Sequence, residues 1–300
     1  MIPLALKIDV DTLRGTRAGV PALTRLLQEL GADATFLFSL GPDHTGRALR
    51  RAFRPGFFQK VARTSVLEHY GLKTLLYGTL LPGPDIGRRA GDEMRAVQKA
   101  GFEVGIHCYD HTKWQDFVAR RDRAWTERQL RLAMQRFEAV FGLPAEVHGA
   151  AGWQMNAAAF ELQEELGFRY ASDTRGEGPF VPQVAGRRGR CPQLPTTLPT
   201  LDELIGLDGV DAGNVHEALL ARTQSPRAGH VFTLHAELEG MKLLPVLRRL
   251  LAGWQVQGYR LVSMCTLFDS LDVAALPCCE VVESSVPGRS GVLACQGPSR

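Results

Sequence analysis

The chain has 300 residues, of which 45% are hydrophobic and 22% charged, with a formal net charge of +3 at neutral pH. This composition suits a folded globular protein and excludes a disordered one, and so small a charge excess makes no case for nucleic acid without a local patch. No apolar run reaches the roughly 20 residues of a membrane span, and the opening "MIPLALKIDVDT" meets Lys7 and Asp9 too soon for a secretory leader, so a location in the cytosol or on a membrane's cytosolic surface is expected.

Short apolar runs rich in β-formers alternate with helical patterns. "LALKIDV" is followed by a helix over 20–30, "ATFLFSL" by one over 86–100 after a long insertion, and "FEVGIHC" by one over 125–141. "AEVHGA" then precedes a helix over 157–166, "FRYASD" stands alone, "HVFTLHA" precedes a helix over 241–257, and "YRLVSM" closes the series. Repeated strand–helix units predict a parallel α/β sheet or barrel, because parallel neighbours need crossover connections. The number of strands suits a barrel better than a small open sheet. Gly31, Gly101, Gly142, Gly167 and Gly258 each follow a periodic segment, where a left-handed C-cap is commonly glycine.

Two segments break the rhythm. Between residues 44 and 67 lie Arg47, Arg50, Arg51, Arg54, Lys60 and Arg63 beside Phe53, Phe57 and Phe58, with no acidic residue until Glu68. This is the composition of an amphipathic membrane-surface contact, or of a basic helix pair packed by its own aromatics. A Pro/Gly-rich loop over about 174–200 carries Arg187, Arg188 and Arg190. The expected organisation is one barrel domain over 1–273, with an insertion at about 42–86 and the long loop, followed by a C-terminal tail over 274–300. Six cysteines without C-x-x-C spacing are expected as free thiols.

Asp9 and Asp11 stand two apart at the end of the first strand, where a regular strand places both carboxylates on one face. Two such charges need a cation or a proton between them; alternatively Asp11 caps the next helix and Asp9 meets solvent. His107 and His111 follow the third strand at the i,i+4 spacing that lets two imidazoles share a metal, although a lone H-x-x-x-H is often incidental. His235 ends "VFTLH", where a histidine is most simply a core-edge residue. Their joint position favours chemistry: Asp9, Asp11, His107, His111, Asp173 and His235 all fall at the carboxyl ends of predicted strands, which converge on one mouth in an α/β barrel or open sheet. Two histidines and one carboxylate leave open positions on a divalent ion for water and a substrate oxygen. The second aspartate is then available as a general base, and His235, held protonated by a carboxylate such as Asp173, as a general acid.

"KIDVDT", "HCYDH" and "TLHAE", in that order, resemble the motifs of the NodB-type polysaccharide deacetylases, metal-dependent amidases with a distorted (β/α)7 barrel. The resemblance implies Asp9 as base, Asp11, His107 and His111 as ligands of one divalent ion (Zn, Co or Mn), and His235 as acid supported by Asp173. "IDVDTLRGTRAGVP", "SLGPDHTGR", "HGAAGW", "SDTRG", "LPTTLPTLDE" and "HAELEG" are similar to one branch of that family. This branch removes the formyl group from a formamido-arabinose linked through phosphate to undecaprenol, in the pathway that decorates lipid A. On the same resemblance Arg14, Trp153 and Arg175 are candidate substrate-binding residues, and the partners are the lipid-linked sugar and the cytoplasmic face of a bacterial inner membrane. "HGAAGW" departs from the family's usual arginine–proline motif, which orients the base, and Arg175 is the expected substitute for that charge near Asp9 or the substrate phosphate. Other amino-sugar amides as substrate, or a non-catalytic barrel that binds lipid phosphate, are the competing readings.

Overall fold

A computed structural model of the protein describes residues 1–48 and 72–299. The first strand, β1 (Ile2–Val10), is the centre of a seven-stranded sheet whose pairings are all parallel. A π-helical turn at Gly15–Gly19 leads into α1 (Val20–Leu30), and β2 (Thr35–Ser39) follows. Next come α2 (Gly91–Lys99), β3 (Glu103–Cys108), α3 (His111–Phe117), α4 (Arg123–Phe141), β4 (Val147–His148), α5 (Ala157–Glu165) and β5 (Tyr170–Ala171). A smaller excursion forms β6 (Val181–Val184) and β7 (Arg187–Arg188). The chain then runs through α6 (Val215–Arg222), β8 (His230–His235), α7 (Leu244–Val256) and β9 (Tyr259–Val262) before β10 (Cys278–Ser284) and β11 (Leu293–Ser299). All seven apolar runs singled out in the sequence are strands of the main sheet, and the five glycines at predicted helix ends all have positive φ, from 59° to 90°, the conformation a side chain disfavours.

The strand order is β5-β4-β3-β2-β1-β8, with β9 also on β1. Leu4 and Ala5 pair with both β8 and β9, so these two strands lie on opposite edges of β1; β2 takes over the β9 edge from Lys7 onward. Alternate side chains of β1 serve two cores. Leu4, Leu6, Ile8 and Val10 pack outward with Leu23 and Leu27 of α1 and Leu247, Leu250 and Trp254 of α7. Ala5 points inward to Leu37, Val147, Tyr170, Leu194 and Val231. Each large aliphatic side chain so buried stabilises the fold by roughly 1.5–3 kcal/mol.

The ends of the sheet, β5 and β8, are joined by residues 193–198. Leu194 N donates to Ala171 O (2.8 Å), and Thr197 N and Leu198 N donate to Val231 O (3.0 and 3.4 Å). The segment expected as a loop therefore closes the curled sheet into a distorted barrel. The residues expected as a tail also differ: β10 and β11 pair antiparallel, and β10 pairs parallel with β6, giving a second sheet in the order β11-β10-β6-β7. Arg175 N donates to Ala294 O (2.9 Å) and Gln296 N to Arg175 O (2.7 Å), which ties this hairpin to the barrel's rim. The basic, aromatic insertion lies largely outside the described residues, including Arg50, Arg51, Phe57 and Phe58. Among the described residues no helix is long and apolar enough to cross a membrane.

Candidate active site

The mouth of the barrel is assembled from strand ends. Lys7 and Asp9 follow Ala5 on the inner face of β1, and Asp11 lies just past the strand's end. Glu237 fixes that corner: its Oε1 accepts from Asp11 N (3.1 Å), Thr12 N (2.9 Å) and Thr12 Oγ1 (2.8 Å). A Cβ on Gly15 would lie 1.9 Å from the same oxygen, so glycine alone leaves room for it. Burial, reinforced by the charge of Asp11, pushes the Glu237 carboxyl well above its ordinary range.

The two histidines are not on consecutive turns of a helix. His107 belongs to β3, and His111 opens α3, whose cap is Asp110 accepting from Lys113 N (3.1 Å). The corner between strand and helix brings the imidazole rings to 5.3 Å, tilted by 30°. Asp11 Oδ1 lies 3.3 Å from His107 Nε2 and 3.5 Å from His111 Nε2. Burial alone raises the Asp11 carboxyl, but the charges of His111 and His107 outweigh it and hold the group well below the ordinary carboxylate range. Burial lowers the His107 imidazole, and Asp9 and Asp11 more than reverse this, leaving it raised.

One ligand atom from each of Asp11, His107 and His111 falls within 4.8 Å of the others. Asp11 Oδ1 is buried and makes no hydrogen bond despite its two imidazole neighbours. A buried oxygen held in that condition among nitrogen donors is what a divalent ion would satisfy, and N₂O is a donor set such ions accept. The residues fit a metal centre.

Asp9 lies beside this triad, with Oδ1 3.7 Å from His107 Nδ1 and Oδ2 3.5 Å from Lys7 Nζ. His235 is its direct partner across the β1–β8 ladder, and His235 Nδ1 is buried without a hydrogen-bond partner. The site thus gathers Asp9, Asp11, His107, His111 and His235 at one mouth.

Three further residues stand differently from expectation. Asp173 does not bond His235: its Oδ1 lies 2.8 Å from His148 Nδ1 and accepts from Ala150 N (2.7 Å), while Oδ2 accepts from Gln163 Nε2 (2.6 Å). Burial raises the Asp173 carboxyl, and His148 with these hydrogen bonds brings it below its ordinary value. The reason is topological, since β4 stands next to β5 and places His148 nearer than β8 can place His235. The carboxylate that reaches His235 is Glu239, whose Oε2 accepts from His235 N (2.8 Å); burial, partly offset by His235, raises Glu239 to about 7. Arg175 is committed away from Asp9: it bonds Glu203 Oε1 (2.5 Å) and the carbonyls of Thr196 and Leu198. Trp153 is only 2% exposed, its Nε1 donates to Thr196 Oγ1 (3.1 Å), and its ring packs under Arg175, Arg289 and Lys7. That leaves little ring for a substrate. Arg14, half-buried, precedes the π-helical turn one residue from the Asp11–Leu13 corner.

The chain is 37% identical to the protein of Shewanella sediminis named "Probable 4-deoxy-4-formamido-L-arabinose-phosphoundecaprenol deformylase ArnD", over 98% of this chain and 94% of that one. The chain belongs to the ArnD deformylase family. Membership makes it a carbohydrate amidase, a hydrolase of amide C–N bonds. A second ArnD relative, from Wigglesworthia glossinidia brevipalpis, is 30% identical over 94% of this chain and 98% of its own length. No protein-family model matches the chain. The crystal structure of the Mycobacterium smegmatis protein named "putative polysaccharide deacetylase" superposes with a TM-score of 0.62 at 16% identity, covering 95% of this chain and 96% of that one. It shares the fold, the NodB-type barrel.

Glu237, Glu239 and Lys7 are not among the candidate residues that the sequence singles out. Glu237 and Glu239 lie within "HAELEG", at alternate positions after a strand end. Acidic residues repeated there, in a family member, were the available signal.

Proposed function

We propose that this ArnD family member hydrolyses the N-formyl group of undecaprenyl-phosphate-linked 4-deoxy-4-formamido-L-arabinose, releasing formate and the amino sugar on its lipid carrier. The observation that carries this reading is the placement of Asp9 and His235 as ladder neighbours beside the Asp11–His107–His111 cluster, in a chain whose relatives carry the deformylase name. Binding alone needs no such base and acid beside the ligand cluster. Asp11, His107 and His111 would hold a divalent ion, which would supply Lewis acidity for amide hydrolysis.

The protein's own groups then divide the proton work. Asp9 takes a proton from the water attacking the formyl carbon, and His235 delivers one to the sugar nitrogen as the C–N bond breaks. Water and amide are consumed, formate and amine are formed, and no other reactant is needed. Glu237 keeps Asp11 in register by holding the backbone of its corner, and Glu239 fixes the backbone of His235. The amino group so exposed would later place a positive charge on lipid A.

The test is formate release from synthetic formamido-arabinose phosphoryl lipid. Metal-loaded protein should release one formate per lipid, and chelation followed by dialysis should abolish release until Zn, Co or Mn is restored. Turnover of N-acetylated soluble sugars, with none of the formamido lipid, would instead favour a general de-N-acetylase.

Such a substrate sits at a membrane surface. The cations and phenylalanines of the insertion supply phosphate attraction and acyl contact in composition, and Leu80, in its described part, is 81% exposed. Wild-type protein should sediment with vesicles containing phosphatidylglycerol, and a variant with Arg50, Arg51, Phe57 and Phe58 replaced should stay in the supernatant. Equal sedimentation would end the membrane reading.

A further inference from the structure

Lys7 is a fully buried lysine in the interior of a barrel. Buried ammonium groups are rare because desolvation costs several kcal/mol unless partners replace the water. Its partners are visible. Nζ donates to Ser172 O at 2.9 Å, lies 3.5 Å from Asp9 Oδ2, and faces the Trp153 ring with 5.4 Å to the centroid. The cavity is cut to the side chain: a Cβ on Gly149 would come within 3.0 Å of Lys7 Cε and 3.3 Å of Nζ. Ladder partners Thr35 on β2 and Thr233 on β8 flank Lys7 from either side. The lysine therefore has one place to stand, directly beneath Asp9 on the same face of β1.

Asp9 needs such a partner. It is 3% exposed, its Oδ1 accepts no hydrogen bond, and the ligand cluster beside it contributes another carboxylate, Asp11. Two arginines near the mouth are committed elsewhere: Arg175 bonds Glu203, and Arg289 bonds Glu203, Thr200 and Asp202.

We propose that Lys7 is the positioning residue of Asp9, its ammonium anchored on the Ser172 carbonyl and the Trp153 face so that it holds and charge-balances the Asp9 carboxylate from inside the barrel. The inference rests on the reading of Asp9 as the base. In that role a rotation of the carboxylate away from the attacking water costs rate without changing how substrate or metal is bound. Trp153 and Ser172, brought by the segments after β4 and β5, act through Lys7 and touch nothing that reacts.

The experiment compares Lys7→Met and Lys7→Arg with wild type in formate release, metal content and thermal unfolding, and adds Asp9→Asn and the double variant Lys7→Met/Asp9→Asn. Lys7→Met should lower kcat roughly 100-fold with KM within about threefold, at unchanged metal content, and Lys7→Arg should recover part of the loss. In unfolding, Lys7→Met alone should be the less stable, and adding Asp9→Asn should restore stability, because it removes the carboxylate left without a cation. A Lys7→Met protein with wild-type kcat, or additive effects on unfolding, overturns the proposal. If wild type releases no formate, the deformylase reading fails by itself, and the unfolding cycle still decides whether Lys7 and Asp9 are coupled.

Discussion

Asp9→Asn is expected to lower formate release by about 10³-fold, within the range that a positioned general base contributes. Asparagine keeps the size of the side chain and its place above Lys7 but cannot accept the proton of the attacking water. Asp11, His107 and His111 are untouched, so metal content per chain should equal that of wild type. The pair of measurements matters more than either one. Lost turnover with retained metal assigns Asp9 to proton transfer, whereas joint loss of both would make it a ligand. Turnover within tenfold of wild type would remove Asp9 from the chemistry and leave the cluster without its base.

Gly19→Ala should produce the largest loss of stability. A Cβ there would lie 2.0 Å from the Ala236 carbonyl oxygen and 2.7 Å from its carbon, both backbone atoms that cannot swing aside. Gly240 approaches the same oxygen, where a Cβ would lie at 2.4 Å, so Ala236 is held on two sides. Its own amide donates to Asp9 O at 3.0 Å, and it follows His235 directly. Relieving the clash therefore means moving the segment that carries the acid. Overpacking of this kind costs roughly 3 kcal/mol, and the drop in melting temperature should be accompanied by a fall in kcat. Gly178→Ala, where a Cβ meets nothing within 4 Å and φ is not in the left-handed region, is the control and should change stability by less than about 0.5 kcal/mol. Equal melting temperatures for the two variants would contradict the packing described around Ala236.

The barrel strands were legible because burial on both faces writes a short apolar run, and a glycine C-cap before most of them marks where the helix must end. Placement of Asp9, Asp11, His107, His111 and His235 at one mouth followed from their position at strand ends alone. Residues 193–198 were not legible. Prolines at 192, 195 and 199 remove donors from the ladder and make the stretch read as a loop, yet the remaining amides of Leu194, Thr197 and Leu198 suffice to join β5 to β8. The hairpin of β10 and β11 was missed for another reason: most of its side chains are only partly covered, so burial imposes little apolar alternation on its sequence. The partner of Asp173 could not be read from spacing, because strand adjacency, not sequence distance, decides that His148 rather than His235 meets it. Lys7 was hidden by its own chemistry, since a lysine between apolar residues on a strand is ordinarily read as the solvent side.

The central position of β1 also governs how the protein must reach its native state. The strand that carries Lys7 and Asp9 precedes partners that arrive late: Ser172 is 165 residues downstream of Lys7, and Glu237 is 226 from Asp11, just past the strand's end. A nascent chain cannot complete the ladder of β1 until β8 and β9 have left the ribosome, so these two pairings and the closure of the barrel wait on contacts of very long sequence separation. Closing such loops before any reward is collected slows folding and leaves apolar strands uncovered meanwhile. Folding of this chain is accordingly expected to be largely post-translational and dependent on chaperones, with the active site among the last features to form.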